Sequence, residues 1–141
     1  MPRNIPIGNG EMLVAFDDLY RIRDLYWPHV GQPNHTCGHL QRFGVWADGA
    51  FRWIADPSWA RDLRYEEDTL VTAVTCDNAP LGLRLECHDA VDFDRDLYVK
   101  QVEVFDTTGK ARDVRLFQHF DAAACKQGGI VLDAGHQRLL R

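Results

Sequence analysis

The residues best equipped for chemistry crowd into one stretch, 20–44, which reads YRIRDLYWPHVGQPNHTCGHLQRFG. It carries Trp27, His29, Asn34, His35, Cys37 and His39. Histidine and cysteine are good zinc ligands. In extended backbone, residues i, i+2 and i+4 share a face, so His35, Cys37 and His39 have a spacing that can converge on an ion, with His29 nearby. Zinc sites, however, recur as short ligand pairs separated by a structured element, and no second pair follows here. Histidines that hydrogen-bond locally or line an interface explain the pattern more simply. No metal and no cofactor is therefore expected.

Two acidic arrangements compete for attention. In the run 88–96, Asp92, Asp94 and Asp96, with Glu103 eleven positions after Asp92, echo a calcium loop. The glycine that such a loop needs at its sixth position is Leu97 instead, so a solvated connection between strands is the expectation. Glycoside hydrolysis needs two positioned carboxyl groups. The chain has 21 Asp and Glu, so pairs arise by chance, but none sits on a loop with an obvious partner. Ile7-Gly8-Asn9-Gly10 lacks the strand-then-helix context of a phosphate loop. Asn34-His35-Thr36 fits a glycosylation sequon. The N-terminus has no apolar leader segment, so the sequon is expected to be idle.

The aromatic residues demand a decision as well. Tyr26, Trp27, Phe43, Trp46, Phe51, Trp53 and Trp59 cluster in the first half of the chain. Trp27, beside Pro28, is expected at the surface, as an interdomain or sugar-stacking contact. The others are expected in the core, where large rings contribute most. Trp46 and Phe51 are expected to face one another across a hairpin.

The elements that must hold these residues read as β throughout. Met12–Phe16 and Tyr20–Tyr26 are short strand candidates, the latter ended by Pro28. A long loop follows, too rich in aromatic residues for disorder and long enough to suggest a function. Phe43–Ala47 and Ala50–Ile54 flank Asp48-Gly49, a strong hairpin signal. Residues 59–65 read as a helical turn or an irregular connection, and Pro2–Gly10 as irregular. Thr69–Cys76 and Leu81–Cys87 alternate with period two around the turn 77–80. Leu97–Phe105 and Arg112–Phe120 flank 107–110, a plausible hairpin loop. Ile130–Leu132 and Leu139–Leu140 look like further strands. No amphipathic helix of ten residues or more is evident. An antiparallel sandwich is the expected fold.

Composition narrows the function classes. With a net charge of −5 and a pI near 5.6, the chain lacks the basic footprint of a nucleic-acid binder or of a protein drawn to anionic membranes. No run of about 18 apolar residues exists to span a bilayer. The four cysteines, Cys37, Cys76, Cys87 and Cys125, show no CxxC. If the turn 77–80 is tight, Cys76 lies opposite Leu81 and Cys87 is roughly 20 Å further along, too far for a disulfide. Reduced thiols and a cytoplasmic location are expected.

Several runs taken together resemble the start of the prokaryotic-type glucoamylases of glycoside hydrolase family 15. They are Ile7–Gly10, Leu13-Val14, Arg21–Gln32, Asn34-His35 and Arg42–Trp46. Asp68–Thr72, Asp89–Phe93 and Val114–Phe117 add to the likeness, which spans about residues 3–121 and is densest in the first half. The resemblance implies an N-terminal antiparallel β-supersandwich, galactose-mutarotase-like, followed by an (α/α)₆ barrel. That barrel carries the two catalytic glutamates for inverting hydrolysis of α-glucosidic bonds. Nothing here matches it, so no catalytic residue is assigned. A complete sandwich often needs more than 141 residues, so the chain is expected to be part of one, a single N-terminal module inactive alone. Tyr26, Trp27, His29, Asn34, His35 and His39 become candidates for contact with the missing barrel or with α-glucan. A stand-alone carbohydrate-binding sandwich is the alternative. Open sheet edges would favour homo-oligomers.

Overall fold

The computed structural model describes residues 4–121. Ten strands occupy them: β1 (Ile5–Gly8), β2 (Leu13–Phe16), β3 (Ile22–Tyr26), β4 (Arg42–Ala47), β5 (Ala50–Trp53), β6 (Ala60–Tyr65), β7 (Thr72–Asn78), β8 (Leu83–Val91), β9 (Tyr98–Asp106) and β10 (Val114–His119). All pairings are antiparallel, in three sheets ordered β1-β2-β3, β10-β4-β5 and β6-β7-β8-β9. No helix occurs among the described residues. The chain is thus all-β and sandwich-like, as its periodicity predicts. Cys125 and the strands expected near 130 and 139 lie outside the described residues.

The two three-stranded sheets meet at one bridge, where Ile22 and Gln41 exchange backbone hydrogen bonds of 2.9 and 3.0 Å. All three sheets feed one core. Ile5, Ile7, Val14, Phe16 and Ile22 come from the first, Phe43, Val45 and Ala47 from the second, and Val74, Cys76, Leu83, Leu85 and Cys87 from the third. Alternation explains the choice: β4, β7 and β8 turn every second residue inward, and apart from Thr72, Asn78 and Asp89 those are apolar.

Several expectations need correction. Pro2–Gly10 is not wholly irregular: Ile5–Gly8 is an edge strand, where Pro6 is tolerated because an outward-facing position needs no N–H. Residues 59–65 are not helical. Ala60–Tyr65 alternates exposed and half-buried positions and pairs with β7 along its whole length. The β7–β8 turn lies two residues later in the chain than expected. Asn78 pairs with Leu83, leaving Ala79–Gly82 as the loop, and Asn78 Oδ1 caps the Leu81 N–H at 2.9 Å. Cys76 therefore faces Leu85 rather than Leu81, and Cys87 faces Val74. The two cysteines are diagonal neighbours on one face, not 20 Å apart. Hydrogen bonding to Cys87, with burial, pushes the Cys76 thiol up. Both remain free, as does Cys37.

The segment 107–113 is no hairpin either. β9 pairs with β8 and β10 with β4, so the connection crosses between sheets. Arg112 explains the crossing: its guanidinium donates to Asp48 Oδ2 (2.9 Å) and to the Gly82 carbonyl (2.8 Å), and it pairs with Asp106 (2.6 Å). One side chain thereby ties three turns together.

The Asp48-Gly49 hairpin forms as expected, with both residues at positive φ (50° and 81°), the geometry its tight turn demands. Trp46 faces Phe51 in the observed register. These rings are not in the core, however. Phe43 and Trp59 are buried there, whereas Trp46, Phe51 and Trp53 lie half-buried on the opposite face of the sheet. On that face Phe51 packs edge-on against Trp53 (4.8 Å) and Phe117 (5.6 Å). Arg42 lies over Trp53 at 4.3 Å and Arg115 over Trp46 at 5.0 Å. Gly44 makes room for the layer, because a Cβ there would come within 2.5 Å of Phe51 Cζ and 2.9 Å of the Arg52 carbonyl oxygen. Gly44→Val is expected to destabilise the fold by about 1–3 kcal/mol, read as a lower urea midpoint with an unchanged m-value.

Candidate functional site

Stretch 26–39 is a loop pinned from inside. After β3, the Trp27–Pro28 peptide is cis and the chain leaves the sheet. It returns at Asn34, whose side chain acts as a peg beside β3. Asn34 Oδ1 accepts from the Leu25 N–H (3.0 Å) and the Thr36 N–H (3.1 Å). Its Nδ2 donates to Asp24 Oδ1 at 2.8 Å. The His35 N–H donates to the Leu25 carbonyl (2.8 Å), and the Thr36 hydroxyl to the Arg23 carbonyl (2.9 Å). Asn34-His35-Thr36 thus stands in for a neighbouring strand along the edge of β3.

The named candidates fall into two groups. His35 is buried, its Nε2 at 3.0 Å from the Trp27 carbonyl and its Nδ1 without a partner. Asn34 and Trp27 are half-buried. The Trp27 indole donates to Asp96 Oδ2 at 2.7 Å, so the expected surface tryptophan is a tether. Tyr26 is half-buried at the loop's start. His29, Cys37 and His39 are exposed. The His29 ring meets Gln32 at 3.2 Å and the His39 ring meets Asp121 at 3.3 Å. His35 points inward while Cys37 and His39 lie outside, so the three do not converge on one point. No group of three or more metal-ligating side chains comes together among the described residues.

The acidic run is a turn. Asp92 Oδ1 accepts from the N–H groups of Asp94 and Arg95, and Asp96 receives Trp27. Asn9 Nδ2 donates to the carbonyls of Asp92 (3.0 Å) and Arg95 (3.3 Å). Three segments far apart in sequence are thereby joined: the β1–β2 turn, the loop and the 92–97 turn. Beside them lies an apolar groove of about 290 Å³, lined by residues of β1, the β1–β2 turn, Val30 of the loop tip and Leu70. Val30 and Leu70 are both exposed. Glu11 is the one carboxylate in the lining.

Asp89 on β8 is the feature that pattern reading misses. It has no exposed surface, and its carboxylate accepts four hydrogen bonds. Oδ2 takes the Tyr20 hydroxyl and the Thr72 hydroxyl (2.9 Å); Oδ1 takes the Tyr98 hydroxyl (2.5 Å) and Lys100 Nζ (2.9 Å). Lys100 Nζ also donates to the Tyr20 hydroxyl at 2.6 Å and lies over the Tyr20 ring at 4.1 Å and the Phe43 ring at 4.8 Å. Tyr20 adopts φ 59° to reach inward, a conformation that costs a residue other than glycine about 1 kcal/mol or more. A signal was present: Asp89, Lys100 and Thr72 all sit at positions where their strands' alternation points inward. Each carboxylate oxygen already accepts two bonds, so Asp89 has no lone pair left for a substrate.

Comparison with protein-family models, curated proteins and solved structures gave no match.

Asp89→Asn is expected to cost about 3–5 kcal/mol, because Lys100 keeps its charge in the interior without a counter-ion; equilibrium denaturation measures it. Burial, followed by the charges of Cys87 and Asp89, raises the Tyr20 phenol well above its ordinary value of 10.0. Burial and Asp89 do the same for Tyr98. An unfolded chain would release both protons near 10 while the folded chain holds them. Stability is therefore expected to be intact below about pH 10 and to fall as the pH rises further. Tyrosinate absorbance from Tyr20 and Tyr98 should appear together with unfolding.

Proposed function

We propose that this chain is a non-catalytic β-sandwich module of a glucoamylase-type α-glucan hydrolase, seating a separate (α/α)₆ catalytic barrel. The observation that carries the reading is the pinned loop. Asn34, His35 and Trp27 hold it from within, so that its exposed tip, His29–Pro33, stands beside the apolar groove. Such a mix of polar tip and apolar groove suits contact between domains. Several residues in the runs that resemble family 15, namely Asn9, Asp24, Trp27, Asn34 and His35, supply the side-chain bonds that shape this surface.

In this reading the module is inactive on its own. The groove offers a single carboxylate and hydrolysis needs two; Asp89 is saturated. Carbohydrate binding by the chain alone is less favoured, because Trp27 is tethered and Arg42 covers Trp53. Free Cys37, Cys76 and Cys87 support the proposed cytoplasmic setting. No helix among the described residues is long and apolar enough to cross a membrane.

The purified chain is expected to release no glucose from maltooligosaccharides and to show no change in tryptophan fluorescence on titration with them. It should bind the isolated barrel of a prokaryotic glucoamylase by calorimetry. Val30→Asp with Leu70→Asp should weaken that binding by about tenfold or more. Glucose release, absence of binding, or binding indifferent to the two substitutions would overturn the proposal.

A further inference from the structure

Among the described residues, the sandwich is open along one side. β9 ends the four-stranded sheet and β10 ends the sheet of β4 and β5. Val104 and Leu116 pair with the buried Leu85 and Val45, so they belong to the inner faces, yet both are exposed. β9 is the longer of the two edges: nine residues in unbroken register with β8, without a bulge or a proline. Native edges are normally blunted by prolines, bulges or outward charges. The lysine of β9 gives no such protection, because Lys100 points inward and is held by Asp89.

The outer face of β9 is self-complementary. Tyr98, Lys100, Val102 and Val104 face the core side, opposite Val91, Asp89, Cys87 and Leu85. Val99, Gln101, Glu103 and Phe105 form the outer face, and Val99 (47% exposed) and Phe105 (41%) are its apolar members. Two copies of β9 paired antiparallel about a two-fold axis must place residues of like parity opposite one another. With the axis at Val102, Val99 of each copy meets Phe105 of the other, and Gln101 meets Glu103. The register therefore matches apolar with apolar and amide with carboxylate, twice over. A shift by two residues in either sense breaks the Val99–Phe105 match. Directly opposed pairs of this kind are the unit of sheet stability.

We propose that β9 is a homodimerisation edge, joining two copies of this chain through a two-fold axis at Val102 into a continuous eight-stranded sheet. An isologous contact of this form closes on itself and does not propagate into fibres. The inference is independent of the function proposed above, since the loop and groove lie on other elements.

Sedimentation equilibrium of the full chain tests it. The wild type is expected to be a dimer. Val99→Lys with Phe105→Lys places like charges opposite one another and should weaken dimerisation by about tenfold or more. Both sites are exposed, so the thermal transition of the monomer should survive, as followed by circular dichroism. Val99→Lys with Phe105→Glu puts opposite charges together in the same register and should restore the dimer, now sensitive to salt. A monomeric wild type, a dimer indifferent to the two lysines, or failure of the lysine–glutamate chain to recover would overturn the proposal.

Discussion

Asp89 has no contact with solvent, and a carboxylate in that position is tolerable only with its acceptor capacity filled. Filling it draws on distant parts of the chain. Tyr20 comes from the turn before β3, Thr72 from β7, Tyr98 and Lys100 from β9. Two sheets are thereby referenced to one point. The apolar part of the interior is roughly interchangeable by volume, but this network accepts a single arrangement. It obliges Tyr20 to take a left-handed backbone conformation and gathers aromatic rings about the Lys100 ammonium. The register of β9 on β8, and hence which residues β9 turns outward, follows from the same bonds.

Much of the architecture can be read from the residues themselves. Period-two alternation gives the strands of β7 and β8, and Asp48-Gly49 gives the hairpin of β4 and β5. What fails is instructive. The β7–β8 turn was one of several that Asn78 and Pro80 allow. The turn capped by the Asn78 side chain lies two residues later in the chain, and that shift brings Cys87 beside Cys76. The β9–β10 connection looks local, but whether two strands pair is settled by long-range contacts such as those of Arg112. The outward aromatic layer reads as core because ring size says nothing about which face a ring occupies; a glycine between the rings, Gly44, was the clue.

The candidate site was legible in part. The loop stands out by composition, and its exposed tip agrees with a surface role. Yet the histidine spacing that suggested a metal serves a different end. Asn34 and His35 turn towards β3 and pin the loop, leaving His29 and His39 outside. Spacing alone cannot distinguish side chains that converge on a ligand from those that fasten their own backbone. The groove by Val30 and Leu70, formed by segments remote in sequence, leaves no local pattern at all.

The peg at Asn34 also bears on covalent modification. A glycan on its Nδ2 would replace a hydrogen that the amide donates to Asp24, and would put a bulky sugar where the loop lies against β3. Transfer to this sequon would thus require an unfolded chain. The sugar, once attached, would hold the 26–39 segment away from its edge and leave the Leu25 amide hydrogen without its acceptor.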